Sequence, residues 1–122
     1  MVAYYLDTSA LVKRYVREPG TDWVMEFTDP AAGNDIYVSR LTGPEIIAAF
    51  FRKARVREVA HDDAVRAAEN FRADFVGQYQ IVELSEAIVD RAMTLAQQHT
   101  LRGYDAMQLA TVSELHSVRE EL

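Results

Sequence analysis

Apolar and polar positions follow one another in blocks whose period changes along the chain. Val2 to Leu6 is a short apolar and aromatic run ending at Asp7, which reads as a buried strand. From Thr8 to Glu18 the apolar residues Leu11, Val12, Tyr15 and Val16 fall at helical spacing, and Pro19-Gly20 is expected to stop that helix. A second helix is predicted over Thr21 to Thr28, with Trp23, Val24 and Phe27 inward, followed by a loop over Pro30 to Asp35. Ile36 to Ser39 predicts a second strand. Thr42-Gly-Pro-Glu45 opens a long helix reaching Val56, with Ile46, Ile47, Phe50 and Phe51 apolar. The next helix starts at Asp62 or Asp63 and ends near Gly77, and its expected buried stripe is Val65, Ala68, Phe71, Phe75 and Val76. Gln80 to Leu84 predicts a third strand, and Ser85 caps a helix reaching Gln98. The last helix is predicted from Gly103 to Val118, with Ala106, Leu109, Ala110 and Leu115 apolar.

Short strands alternating with helices imply an α/β domain whose parallel sheet is covered on both faces. Ligands of such sheets bind in the crevice beyond the carboxyl ends of the strands. Asp7 ends the first predicted strand, and Glu45 lies a few residues past the second. With 122 residues the chain suits one domain over 1–122, and no internal repeat or low-complexity linker interrupts it.

Composition narrows the chemistry. There is no cysteine, so a disulfide scaffold, a cysteine zinc site and a thiol nucleophile are excluded. The start, Met-Val-Ala-Tyr-Tyr-Leu-Asp, lacks the pattern of a signal peptide, and no apolar run approaches the ~20 residues of a membrane helix, so a soluble cytoplasmic protein is expected. The net charge of −6 counts against broad electrostatic coating of nucleic acid. It is compatible with a metal-dependent nuclease, which needs clustered carboxylates whose field a cation reverses. Basic residues gather at Arg52, Lys53, Arg55 and Arg57 and at Lys13 and Arg14. They read either as solvated helix faces or as phosphate contacts.

Three acids stand out, and each has a structural reading beside the chemical one. Asp7 can cap the first helix. Thr42-x-x-Glu45 fits a capping box. Asp105 sits in the first turn of the last helix, where the helix dipole favours negative charge. Read jointly, Asp7 is placed at a strand end rather than an exposed helix tip, and Asp105 is flanked by apolar residues. Buried, converging carboxylates would repel, and a hard divalent cation removes that conflict. Other chemistries find little support. His61, His99 and His116 lack metal-ligand spacing, Ser9 has no G-x-S-x-G turn, and no glycine-rich phosphate loop exists. A phosphoacceptor receiver domain would need a second acid ahead of the strand-end Asp7 and a late lysine, and no lysine follows Lys53. The aromatic residues Trp23, Phe27, Phe50, Phe51, Phe71 and Phe75 are expected to pack rather than stack on bases.

Three segments resemble the PIN-domain family, in particular the VapC toxins of toxin–antitoxin pairs. They are Tyr5-Leu-Asp-Thr-Ser-Ala-Leu-Val-Lys-Arg-Tyr15 with Glu18-Pro-Gly, then Ser39-Arg-Leu-Thr-Gly-Pro-Glu45, then Leu101-Arg-Gly-Tyr-Asp-Ala-Met-Gln-Leu-Ala-Thr111. The resemblance implies a PIN-like three-layer fold, a short parallel sheet flanked by helices. It implies an endoribonuclease that hydrolyses RNA phosphodiester bonds with Mg2+ or Mn2+. By correspondence, Asp7 and Asp105 are metal ligands, and Glu45 is the second acid, holding or deprotonating the attacking water. Thr8 and Ser9 match the polar positions after the first acid, and Lys13, Arg14 and Arg102 would position the RNA backbone. The resemblance further implies a VapB-type antitoxin as partner and a homodimer. An amphipathic partner would dock on the apolar stripes of residues 8–18, 21–28 and 42–56. The family pattern continues into another strand carrying a fourth acid, whereas this chain ends at Glu120-Glu-Leu122. Neither Glu120 nor Glu121 has that acid's context, so a C-terminally short domain is expected. A catalytically impaired PIN-like binding module is the alternative.

Overall fold

The computed structural model describes the backbone of residues 2–121 and the side chains of residues 2–117. The side chains of Glu120 and Glu121 lie outside the described residues. The elements are β1 (Ala3–Tyr5), α1 (Thr8–Tyr15), α2 (Thr21–Thr28), a short 3-10 turn (Pro30–Ala32), β2 (Asp35–Ser39), α3 (Thr42–Arg55), α4 (His61–Gly77), β3 (Gln80–Val82), α5 (Glu86–His99) and α6 (Gly103–Glu121). The sheet order is β1-β2-β3. β1 and β2 run parallel, with Ala3 opposite Asp35, Tyr4 opposite Ile36 and Tyr5 opposite Tyr37. This is the expected α/β, PIN-like arrangement of a short sheet with helices. The chain divides into two compact units, Met1–Ile81 and Val82–Leu122.

In the first unit the buried core joins Leu6, Leu11, Val24, Val38, Ile46, Phe50 and Phe71, with Phe50 and Ile46 wholly inaccessible. The apolar stripes of α1, α2 and α3 therefore face this core first, and the surface they leave for a partner is smaller than the sequence suggests. Trp23, expected inward, is exposed and meets the edge of Phe27, which stacks on Tyr4. Val76 is likewise exposed. Ala64 and Ala67 are buried on α4 instead, because small side chains let it approach the core closely.

α1 ends at Tyr15, three residues before its expected end. The β-branched Val16 adopts an extended conformation, and its N–H still closes onto Val12 O. The link to α2 is a tight turn. Thr21 Oγ1 accepts from Glu18 N–H at 2.9 Å, and Thr21 N–H returns to Glu18 O at 3.1 Å. Gly20, at φ +96°, supplies the left-handed step, and a Cβ there would come within 3.1 Å of Lys13.

Glu18 is the hub of that turn, bound by Lys13 at 3.0 Å and by Lys53 of α3 at 3.2 Å. Burial alone would raise its carboxyl. The hydrogen bonds and charges of the two lysines outweigh burial and hold it below its ordinary value of 4.5. The ionised form thus favours the folded chain. This contribution is whole above that ordinary value and fades as pH falls through the lower, folded one. Glu18→Gln should therefore lose less stability than the wild type between about pH 7 and pH 3. Parallel losses in thermal melts of the two proteins would refute this.

In the second unit Ile88 and Ala92 of α5 pack on Ala106 and Ala110 of α6. Ser85 caps α5 as expected, accepting from Ile88 N–H at 3.1 Å. Arg91 links the pair to Ser113 at 3.0 Å. Leu109, expected to face inward, is exposed, while Thr111 is buried and returns its hydroxyl to Met107 O at 2.8 Å. Among the described residues no helix is long and apolar enough to cross a membrane.

Candidate functional site

Adjacent parallel strands carry two of the candidate acids. β1 runs out through Leu6, whose N–H still bonds Tyr37 O at 3.1 Å, and the chain turns into α1 at Asp7. β2 ends at Ser39, and α3 begins at Thr42 with Glu45 in its first turn. Both acids therefore follow the carboxyl ends of neighbouring strands, where α/β sheets place their ligands.

Asp7 is the N-cap of α1, and its side chain is exposed, contrary to the expectation of a carboxylate held away from a helix tip. Its Oδ1 accepts from Ala10 N–H and from the Ser9 hydroxyl, each at 3.0 Å. Both bonds fall on one oxygen, so the cap does not need the second. Thr8, next in the chain, is buried.

The capping box expected of Thr42 and Glu45 is not formed. The residue before α3 is Leu41, itself in helical conformation and without a side-chain cap. Ser39 Oγ instead accepts from Leu41 N–H at 3.1 Å. Glu45 thus sits one position too late in the helix to reach back, and its partner is Arg52, with Oε1 3.7 Å from Nη2. The i,i+7 spacing of that pair was visible in the sequence, but nothing there singled it out.

Asp105, in the second unit, lies in the first turn of α6, where the dipole argument put it. Its side chain is 54% exposed and lies 3.5 Å from Arg102. Its neighbour Ala106 is buried but points about a hundred degrees away round the helix, so the apolar flank gives no burial to the carboxylate.

The basic candidates separate clearly. Lys13 is bound to Glu18, as described. Arg14 lies 13% exposed among Asp74 (3.4 Å), Thr28 Oγ1 (2.8 Å) and Gln78 (3.4 Å). The Tyr15 hydroxyl donates to Asp74 at 2.7 Å and also hydrogen-bonds Tyr79. Burial first, then the neighbouring phenol and carboxylate, push Tyr15 far above the usual phenol range, and burial takes Tyr79 up to about 12. This polar cluster joins α1 to α2 and α4 and was missed by periodicity, because its bonded pairs lie up to 64 residues apart.

Between α3 and α4 a groove of about 530 Å3 is lined by Gly43, Pro44, Ile47, Ala48, Phe71, Arg72 and Phe75. A Cβ at Gly43 would stand 3.5 Å from the Phe75 ring, and Arg40 lies over that ring at 5.5 Å.

Among the described residues no group of three or more His, Asp or Glu side chains forms a ready metal cage. The donor chemistry nevertheless suits a hard cation. Asp7 and Glu45 offer only carboxylate oxygens, and Mg2+ takes one or two of these while keeping waters and substrate phosphate.

The model of the PIN domain family matches residues 4–118. The chain belongs to the PIN domain family. This PIN domain is 34% identical over 112 residues to ribonuclease VapC45 of Mycobacterium tuberculosis (strain CDC 1551 / Oshkosh), covering 91% of this chain and 75% of the relative. Ribonuclease VapC49 of strain H37Rv of that organism matches with the same identity and coverage. These relatives put the PIN domain with the VapC type. A toxin–antitoxin complex from Klebsiella pneumoniae shares its fold with a TM-score of 0.62 at 21% identity, over 95% of this chain and 79% of that one.

Proposed function

We propose that this PIN domain is a metal-dependent endoribonuclease, the toxin of a VapBC-type pair, hydrolysing RNA phosphodiester bonds in the cytoplasm. The observation that carries the reading is the placement of Asp7 and Glu45 beyond the carboxyl ends of paired parallel strands, in a chain similar to named ribonucleases. By family correspondence the acids are Asp7, Glu45 and Asp105. Mg2+ or Mn2+, when bound, supplies Lewis-acid charge neutralisation and lowers the pKa of water. Asp7 would hold it through its carboxylate, whose Oδ1 also accepts from the Ser9 hydroxyl. By the same correspondence Asp105 would be the other ligand. Glu45 orients the attacking water or takes its proton at a carboxylate oxygen. Thr8 supports the Asp7 turn, and Arg102 contacts the RNA backbone. Lys13 and Arg14 are assigned to the internal contacts described above instead.

The partners follow from the same reading. An antitoxin, the component named beside the toxin in the Klebsiella complex, is inferred here as well, as is a homodimer. The apolar α3–α4 groove is the seat for an amphipathic antitoxin segment.

Metal removal tests the enzyme. Purified protein should cut single-stranded RNA in Mn2+, stop in EDTA and recover when Mn2+ is restored in excess. Cleavage that persists in EDTA would refute the metal-dependent reading. Intact RNA in every condition would favour the binding-module alternative.

A further inference from the structure

Arg52 and Arg102 differ from the other basic candidates in what they touch. Lys13, Arg14 and Lys53 are spent on Glu18, Asp74 and Glu58. Arg52 and Arg102 each meet an acid assigned to catalysis, Glu45 at 3.7 Å and Asp105 at 3.5 Å. The Arg102 pair has a local i,i+3 spacing that any helix start can produce. The Arg52 pair is less expected. Seven residues are two turns of helix, roughly 10 Å of rise, beyond the i,i+3 and i,i+4 spacings that support helices. The Arg52 side chain runs back along α3 toward its first turn to reach Glu45, while remaining 56% exposed.

Resting on the nuclease reading, we propose that Arg52 is the counter-ion of Glu45 in the metal-free protein and becomes a phosphate-binding residue when Glu45 takes up the attacking water beside a bound divalent cation. An exposed ion pair is weak, so the guanidinium is readily displaced. The freed guanidinium is a planar fork suited to two phosphate oxygens. It stands on the helix that presents Glu45, so the phosphate it takes is close to the one being cut. An acidic chain, at net charge −6, thereby gains a cation for RNA where and when the metal site is loaded.

The test compares the whole chain as wild type, Arg52→Gln, Arg52→Lys and Arg55→Gln. Two readouts are independent of activity: calorimetric titration with Mn2+ alone, and anisotropy binding of a mixed-sequence single-stranded RNA in Ca2+ over a salt series. Arg52→Gln should bind Mn2+ about twofold to threefold more tightly, since a positive charge beside the site's second acid is gone. It should bind RNA about tenfold more weakly, with a salt slope smaller by about one. Arg52→Lys should restore the slope but not the full affinity. Arg55→Gln, ten residues from Glu45 at the far end of the same helix, should leave Mn2+ binding unchanged. If Arg52 merely orients Glu45, Arg52→Gln weakens Mn2+ binding, and that result overturns the proposal. So does unchanged RNA binding. Wild-type protein that takes up no Mn2+ overturns the nuclease reading with it. Wild-type uptake that is lost in Asp7→Asn, with Arg52→Gln behaving as wild type, overturns the Arg52 assignment alone.

Discussion

Asp7→Asn should reduce Mn2+-dependent RNA cleavage by about a hundredfold or more while leaving the fold intact. The cap uses one oxygen, Oδ1, which accepts from Ala10 N–H and Ser9. Asparagine offers an equivalent amide oxygen and is as good an N-cap as aspartate. Its amide cannot serve as an anionic ligand. Thermal melting should therefore stay within about 2 °C of the wild type. Asp7→Ala removes both functions. It should lose activity to the same extent and also about 1 kcal/mol of stability, because the first turn of α1 loses its acceptor. The pair of substitutions separates chemistry from folding at one position. Wild-type cleavage by Asp7→Asn would end the mechanism, whatever the melting curves show.

Arg14→Ala should have the largest effect on stability of any charged-residue substitution considered, about 2–4 kcal/mol. The guanidinium is mostly buried and contacts Thr28 of α2, Asp74 of α4 and Gln78 just past the end of α4. Burial would lower its pKa, but Tyr79, Tyr15 and Asp74 together raise it, so it stays charged. Without it Asp74 keeps only the Tyr15 hydroxyl of these partners, and Thr28 Oγ1 loses a donor. Arg14→Lys should recover little, since one ammonium cannot span the fork of contacts. Urea melts of the three proteins give the measurement. Unchanged melting with weakened RNA affinity would show Arg14 to be a phosphate contact and the cluster dispensable.

What the sequence made legible was set by local physics. β2 and α2 lie where period and turn residues put them, because each is bounded by strong punctuation such as Pro19-Gly20 and Pro30. The Ser85 cap was readable for the same reason. The errors occur where tertiary packing overrides a local rule. Helical spacing puts Trp23 beside Val24 and Phe27, yet only the narrower side of α2 meets the core. Apolar flanks suggested a buried Asp105, although neighbours on a helix point a hundred degrees apart. At Glu45 the T-x-x-E pattern matched a capping box, but α3 begins one residue earlier than that motif needs. The Arg14 cluster left no periodic trace at all. Its residues are polar, far apart in sequence and joined only by folding. The acids themselves were found through motif resemblance, since spacing alone leaves each with an adequate structural use.

The tethering of Asp7 has an evolutionary consequence. On the proposed mechanism folding and cleavage draw on the same side chain, so selection on either constrains that codon. A lineage released from the need to cut RNA would still have to begin α1. Its descendants should drift toward asparagine, serine or threonine at position 7, and rarely toward alanine or valine. Loss of the enzyme would thus leave a polar signature at that site, distinct from the random decay expected of a residue kept for chemistry only.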